Sequence, residues 1–237
     1  MCAEVSEKEE DLQVDTIKYS GETGDIQAQL ARPDGDDKLP GVVVIHENRG
    51  LVPHIKDVSK RIAREGFISL APDGLSPLGG TPEDSDEARS LIGKLDTGEN
   101  TKNFVAAVKY LKTHSESTGK VGVTGFCWGG GVTNEVAVHE PDLDAAVPFY
   151  GRQPDPREVP RIKAPLLIHY AGDDERINSG IPDFEEALKK AGLEYDVYIY
   201  EGTKHAFFND TGRRYDKEAA ELAWKRTIDF FNKKLKQ

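Results

Sequence analysis

Apolar positions along the chain fall into two alternating kinds of run. The stretches "GVVVIHE" (41–47), "FISLAPD" (67–73), "KVGVTGF" (120–126), "LDAAVPFYG" (143–151), "APLLIHYAG" (164–172) and "YDVYIYEG" (195–202) are short and nearly continuous. All six read as strands, and the unbroken apolar run at 41–47 is the pattern of one buried on both faces. Between them, apolar residues recur at helical spacing over 55–66, 101–114, about 129–139, 181–192 and from 216 to the C-terminus. Gly66 and Gly192 close two of these helices. Residues 81–96 are polar with modest helical character, and 12–19 and 25–32 form an opening pair of strands with Gly21 and Gly24 in the turn. The alternation predicts an α/β fold with a mostly parallel central sheet and helices on both faces. Ligands in such folds bind at the carboxyl ends of the strands. No repeat or low-complexity linker interrupts the pattern, so residues 1–237 are expected to be one domain, with the polar residues 1–12 a flexible N-terminal extension.

Charge and composition narrow the partners. A formal net charge of −11 argues against a phosphate-backbone binder, so no nucleic-acid partner is expected. No run approaches the roughly 20 apolar residues that span a bilayer, and no membrane partner is expected. The N-terminus "MCAEVSEKEEDLQ" has neither a basic nor an apolar leader region, which points to a cytoplasmic protein. The two cysteines are Cys2, near the chain end, and Cys127, a poor basis for a structural disulfide. His46 and Glu47 begin like a zinc-protease helix, but Gly50 stands where the second histidine would be. No metal or other cofactor is expected, and the chain is expected to be a monomer or small homo-oligomer.

The unusual residues follow strands. Gly125-Phe126-Cys127-Trp128-Gly129 matches the G-x-nucleophile-x-G elbow in its strand–turn–helix setting. Glycines there let a strained turn pass its neighbours. The amide of Trp128 would be an oxyanion donor near a helix N-terminus, a setting that favours thiolate. A small buried cysteine beside packing glycines is the bland alternative. "YAGDDERIN" (170–178) offers Asp174, with Asp173 as a rival and a turn-capping role as the ordinary use. "EGTKHAFFN" (201–209) offers His205, which otherwise reads as a half-buried surface histidine. Cys127, Asp174 and His205 run in the order nucleophile, acid, histidine of α/β-hydrolases, where the acid commonly has an aliphatic residue three positions on, as Ile177 is to Asp174. In "HENRG" (46–50), Glu47 is a charge at the end of a buried strand, placed either to reach solvent or to act in the site, and the Asn48 amide would be the second oxyanion donor.

Together these residues resemble the dienelactone hydrolase family of α/β-hydrolases, from about Thr16 to Leu235. The resemblance is carried by "GVVVIHENRG", "APD" (71–73), "GVTGFCWGGG", "YGR" (150–152), "GDDERI" and "KHAFFN". It implies Cys127 as nucleophile, His205 as base, Asp174 as the residue orienting it, and Glu47 as the strand-end glutamate that assists thiol ionisation. It also implies the amides of Asn48 and Trp128 as the oxyanion hole. A small ester or lactone is then the expected substrate, cleaved through an acyl-enzyme. An esterase or thioesterase on another acyl group is the nearest alternative, and a non-catalytic binding protein retaining the fold is a further one. The family's substrate-carboxylate arginines have no counterpart: Pro77 or Leu78 stands near the first position and Asn209 at the second. Arg49 and Arg152 are candidate replacements, with Tyr150 and Phe207 as further candidates to touch substrate. Trp128, Phe207 and Phe208 would favour apolar groups, and weak activity on dienelactone itself is expected. The Gly/Pro loop "GLSPLGGTP" (74–82) is either a pocket wall or a connector.

Overall fold

In the computed structural model, which describes residues 6–9 (by backbone alone) and 11–237, the chain divides into two compact units, residues 1–121 and 122–237. The first begins with β1 (Ser6–Glu9), β2 (Leu12–Gly21) and β3 (Gly24–Pro33). Of the segment expected to be a flexible extension, residues 1–5 and 10 lie outside the described residues, whereas Ser6–Glu9 pairs antiparallel with β2. The β2–β3 hairpin runs from Gly21 opposite Gly24 to Leu12 opposite Pro33. Asn103 pins its tip, accepting from the Thr23 amide at 3.2 Å and donating to Thr23 Oγ1 at 2.9 Å. β4 (Leu39–Ile45) and β5 (Ile68–Pro72) pair parallel, and β3 joins β5 antiparallel. Pro40–Ile45 and all of β5 are buried, as strands covered on both faces must be. Helices α1 (Pro53–Arg64), α2 (Ser85–Ile92) and α3 (Thr97–Thr113) complete this unit. Asp84 and Asp96 cap the last two, their carboxylates accepting first-turn amides.

β6 (Ser117–Phe126) carries the chain into the second unit. There it lies beside β7 (Ala145–Phe149), β8 (Leu166–Asp173) and β9 (Tyr195–Lys204), all parallel. The connecting helices are α4 (Trp128–His139), the short α5 (Glu175–Asn178) and α6 (Ile181–Ala191), and α7 (Lys217–Leu235) ends the chain. In α7 the buried residues Ala220, Ala223, Thr227 and Phe231 recur every three or four positions, one apolar stripe facing the strands. Parallel pairing has a functional result: the residues that follow β6, β7, β8 and β9 all emerge at the same edge of the sheet.

Candidate active site

Four consecutive strand ends build the site. β6 ends at Phe126, and Cys127 turns the chain into α4 with φ 57° and ψ −113°. A non-glycine residue with positive φ costs on the order of 1–3 kcal/mol and persists only when its surroundings over-determine it. Here the Cys127 amide donates to Phe149 O at 3.1 Å, and Cys127 O accepts from the Gly131 amide at 3.2 Å. The glycines have a steric reason: a methyl group at Gly125 would collide with Gly129 O, and one at Gly151 with the Gly130 backbone. Trp128 is the first residue of α4, where amides have no acceptor within the helix and the helix dipole favours negative charge.

His205 follows β9. Its Nε2 lies 3.0 Å from Cys127 Sγ, and its Nδ1 hydrogen-bonds Asp174 Oδ2. Asp174 is 8 % exposed, whereas Asp173 at the end of β8 faces solvent. The acid loop is tied by Asn178, which donates to Ala171 O at 2.7 Å and Gly172 O at 3.2 Å. Ile177, the residue at the aliphatic offset, is buried, and its amide donates to Asp174 O at 3.1 Å. The line Asp174–His205–Cys127 can pass a proton from the thiol to Nε2 while the carboxylate holds Nδ1–H in place.

Aromatic rings back the histidine. The Tyr150 ring lies 5.1 Å from that of His205. Tyr150 itself has φ 35°, and its amide donates to His169 O at 2.6 Å. Phe207, considered from sequence as a substrate contact, is 0 % exposed and packs between Tyr150 and Tyr200. It belongs to the core, enclosed by these two rings. Tyr150, the other aromatic candidate, is buried at 1 %. Phe208 is buried too, stacked on Phe126.

Behind these rings, His169 is fully buried, bonded to Tyr200 Oη at 2.9 Å and to Thr227 Oγ1 at 3.1 Å. This network is not legible in the sequence, since its members are 31 and 58 residues from His169 along the chain. Burial, with the Arg226 charge adding to it, lowers the His169 pKa to about 3. An unfolded histidine titrates near 6.5, so between those values the unfolded chain binds the extra proton. This contribution to stability is complete above about pH 6.5 and is lost as pH falls, by up to about 1.4 kcal/mol per unit. Thermal midpoints should therefore begin to drop just below pH 6.5, while surface carboxylates are still ionised. Midpoints unchanged from pH 7.5 down to 5 would refute a neutral buried His169.

The remaining candidates occupy separate settings. In the first unit, Glu47 is buried at the end of β4, and Asn48 is half-buried. Both ring nitrogens of neighbouring His46 are engaged by the backbone: its Nδ1 bonds Glu47 O at 2.6 Å and its Nε2 accepts the Gly74 amide at 3.0 Å. Burial lowers its pKa and keeps the ring neutral. The 74–82 loop is tied down rather than loose, because Asp73 accepts from the amides of Leu75 and Thr81 and from Thr81 Oγ1. Arg49 bonds Ser85 Oγ and lies 3.5 Å from Asp86 Oδ1, so its guanidinium is already engaged. In the second unit, exposed Arg152 lines a cleft of about 400 Å³ with Arg176, Ile177, Gly180, Asp183 and Phe184. None of Cys127, Asp174 and His205 lines it.

Comparison with known proteins agrees with this architecture. A crystal structure of a provisionally named dienelactone hydrolase from Klebsiella pneumoniae superposes with a TM-score of 0.83 at 26 % identity, covering 93 % of this chain and 98 % of that one. A dienelactone hydrolase-like promiscuous phosphotriesterase from metagenomic libraries gives 0.85 at 23 % identity over 95 % and 99 %. A Saccharolobus solfataricus protein that carries a provisional carboxymethylenebutenolidase name is 35 % identical, over 92 % of this chain and 97 % of its own length. The fold is that of the α/β-hydrolases, a mostly parallel sheet with its helices. Residues 26–235 match the dienelactone hydrolase family. The chain belongs to that family and is a dienelactone hydrolase-like hydrolase.

Proposed function

We propose that this chain cleaves a small carboxylic ester or lactone through a covalent acyl-enzyme on Cys127, and that residues 1–237 act as one catalytic domain. The observation that carries the reading is the 3.0 Å approach of His205 Nε2 to Cys127 Sγ, with Asp174 on the opposite ring nitrogen. His205 takes the thiol proton as Sγ attacks the substrate carbonyl carbon. The resulting oxyanion is held by the Trp128 amide and, following the family pattern, the Asn48 amide. The tetrahedral intermediate collapses, the C–O bond to the alcohol or enolate breaks, and the leaving oxygen receives the proton from His205 Nε2. Water, deprotonated by His205, then cleaves the thioester, releasing the acid and restoring the thiol. Glu47 is assigned by the family pattern to assist thiol ionisation.

Acid quenching during turnover of a p-nitrophenyl ester is expected to trap a protein heavier by one acyl group, with the adduct on the peptide containing Cys127. Turnover with no adduct, or with the adduct on a hydroxyl residue, would show that another nucleophile operates. A parallel series with thioesters of the same acid decides whether the alternative acyl class is preferred.

A further inference from the structure

We propose that Arg226, Tyr200 and His169 form a hydrogen-bonded relay that positions His205, an inference resting on the reading of His205 as the catalytic base. The direction of every bond in the relay can be assigned. Thr227 Oγ1 spends its single proton on Ala223 O at 2.8 Å, so at 3.1 Å it must accept from His169 Nε2–H. His169 Nδ1 is then the acceptor and takes the Tyr200 hydroxyl proton at 2.9 Å. The Tyr200 oxygen in turn accepts from Arg226 Nη1 at 3.1 Å, since a guanidinium only donates. Arg226 is itself located by the Tyr198 ring, 3.7 Å beneath its Cζ. A chain in which each donor has one acceptor leaves Tyr200 and His169 a single arrangement.

Two routes lead from that arrangement to His205. The Tyr200 ring packs at 4.9 Å on Phe207, two residues beyond the histidine. The carbonyl of His169 holds the amide of Tyr150, whose ring lies against the His205 ring. Phe149 packs against His169 with ring centroids 4.4 Å apart and the planes tilted by 35°, and its own carbonyl holds the Cys127 amide. Both segments that meet His205 are strained, Tyr150 at φ 35° and Ala206 at φ 69°. Such conformations need support from outside the turn, and the relay supplies it from β8, β9 and α7. The side chains of Tyr200, His169 and Arg226 bond one another and Thr227 rather than Cys127, Asp174 or His205, so they are positioning residues.

Tyr200→Phe removes one oxygen and keeps the ring. It is expected to lower kcat about tenfold or more with KM within about twofold, because a misplacement near 1 Å at the base can cost as much as 100-fold. Alkylation of Cys127 by iodoacetamide at pH 6.5, measured per folded molecule, should slow in parallel. Arg226→Met should behave like Tyr200→Phe, while Arg226→Lys, which restores a donor to Tyr200, should recover most of the rate. Should Tyr200→Phe fail to fold, the Met and Lys pair decides. A lower melting temperature with wild-type kcat and alkylation rate per folded molecule would make the network merely structural and overturn the relay. Cys127→Ala, assayed alongside, separates the two ideas: hydrolysis by that variant overturns the catalytic reading, whereas the alkylation arm still judges the relay.

Discussion

Cys127→Ala is expected to show no hydrolysis above background on any ester that the wild type cleaves, while folding as the wild type does. The substitution removes one sulfur from a half-buried position and leaves the elbow's backbone bonds to Phe149 and Gly131 in place. Alanine meets the same positive-φ penalty as cysteine, so the turn's strain is unchanged. The chemistry has no such reserve. Without Sγ, His205 Nε2 loses the partner it holds at 3.0 Å and has no nucleophile to activate on the protein side of the proposed reaction. In serine enzymes the loss of the nucleophile costs about 10⁶ in kcat, and a fall of that order is expected here. The measurement is kcat on purified variant, with circular dichroism and a melting curve to confirm folding. Near-wild-type turnover in the folded variant would falsify the assignment of Cys127.

The second large effect separates two adjacent carboxylates. Asp174→Asn should lower kcat by about 10⁴, the cost of the same change in a serine protease triad. An asparagine can turn its NH₂ toward His205 Nδ1, which moves the ring proton to Nε2. The ring then donates to Sγ and can no longer take the thiol proton. It also lacks the charge that stabilises the imidazolium. Asp173→Asn, one residue earlier on an exposed strand end, should stay within about twofold of wild type, as surface substitutions usually do. The two kcat values from one preparation settle the matter. The opposite ranking would mean that the acid loop rearranges when substrate binds.

Much of this geometry was readable before any coordinates. Parallel strands covered on both faces produce nearly continuous apolar runs, and so β4 to β8 stand out in the sequence, whereas β9 is mostly half-buried or exposed. The preference for Asp174 over Asp173 is legible only through the aliphatic residue that α/β-hydrolases commonly carry three positions on, here the buried Ile177, and Asp174 is the carboxylate bonded to His205. Other features were hidden for physical reasons. An aromatic beside a histidine looks the same in sequence whether it faces a ligand or the core, and Phe207 is in the core. The engagement of Arg49 depends on Ser85 and Asp86, 36 and 37 residues away. His169 sits in an apolar strand, and its meaning lies in Tyr200 and Thr227, which only strand pairing and the docking of α7 bring to it.

The backbone of Cys127 also bears on how such an enzyme can change its chemistry over evolutionary time. At φ 57° the side chain leaves the chain close to the following carbonyl, so small unbranched side chains are tolerated best. Threonine, branched at Cβ, is a poor fit whatever its nucleophilicity. Of the residues able to attack a carbonyl, cysteine and serine differ by one atom and make the same steric demand. The turn thus leaves a narrow route between thiol and alcohol catalysis, one that a lineage can cross in a single substitution without rebuilding the strand, the helix or the histidine behind them.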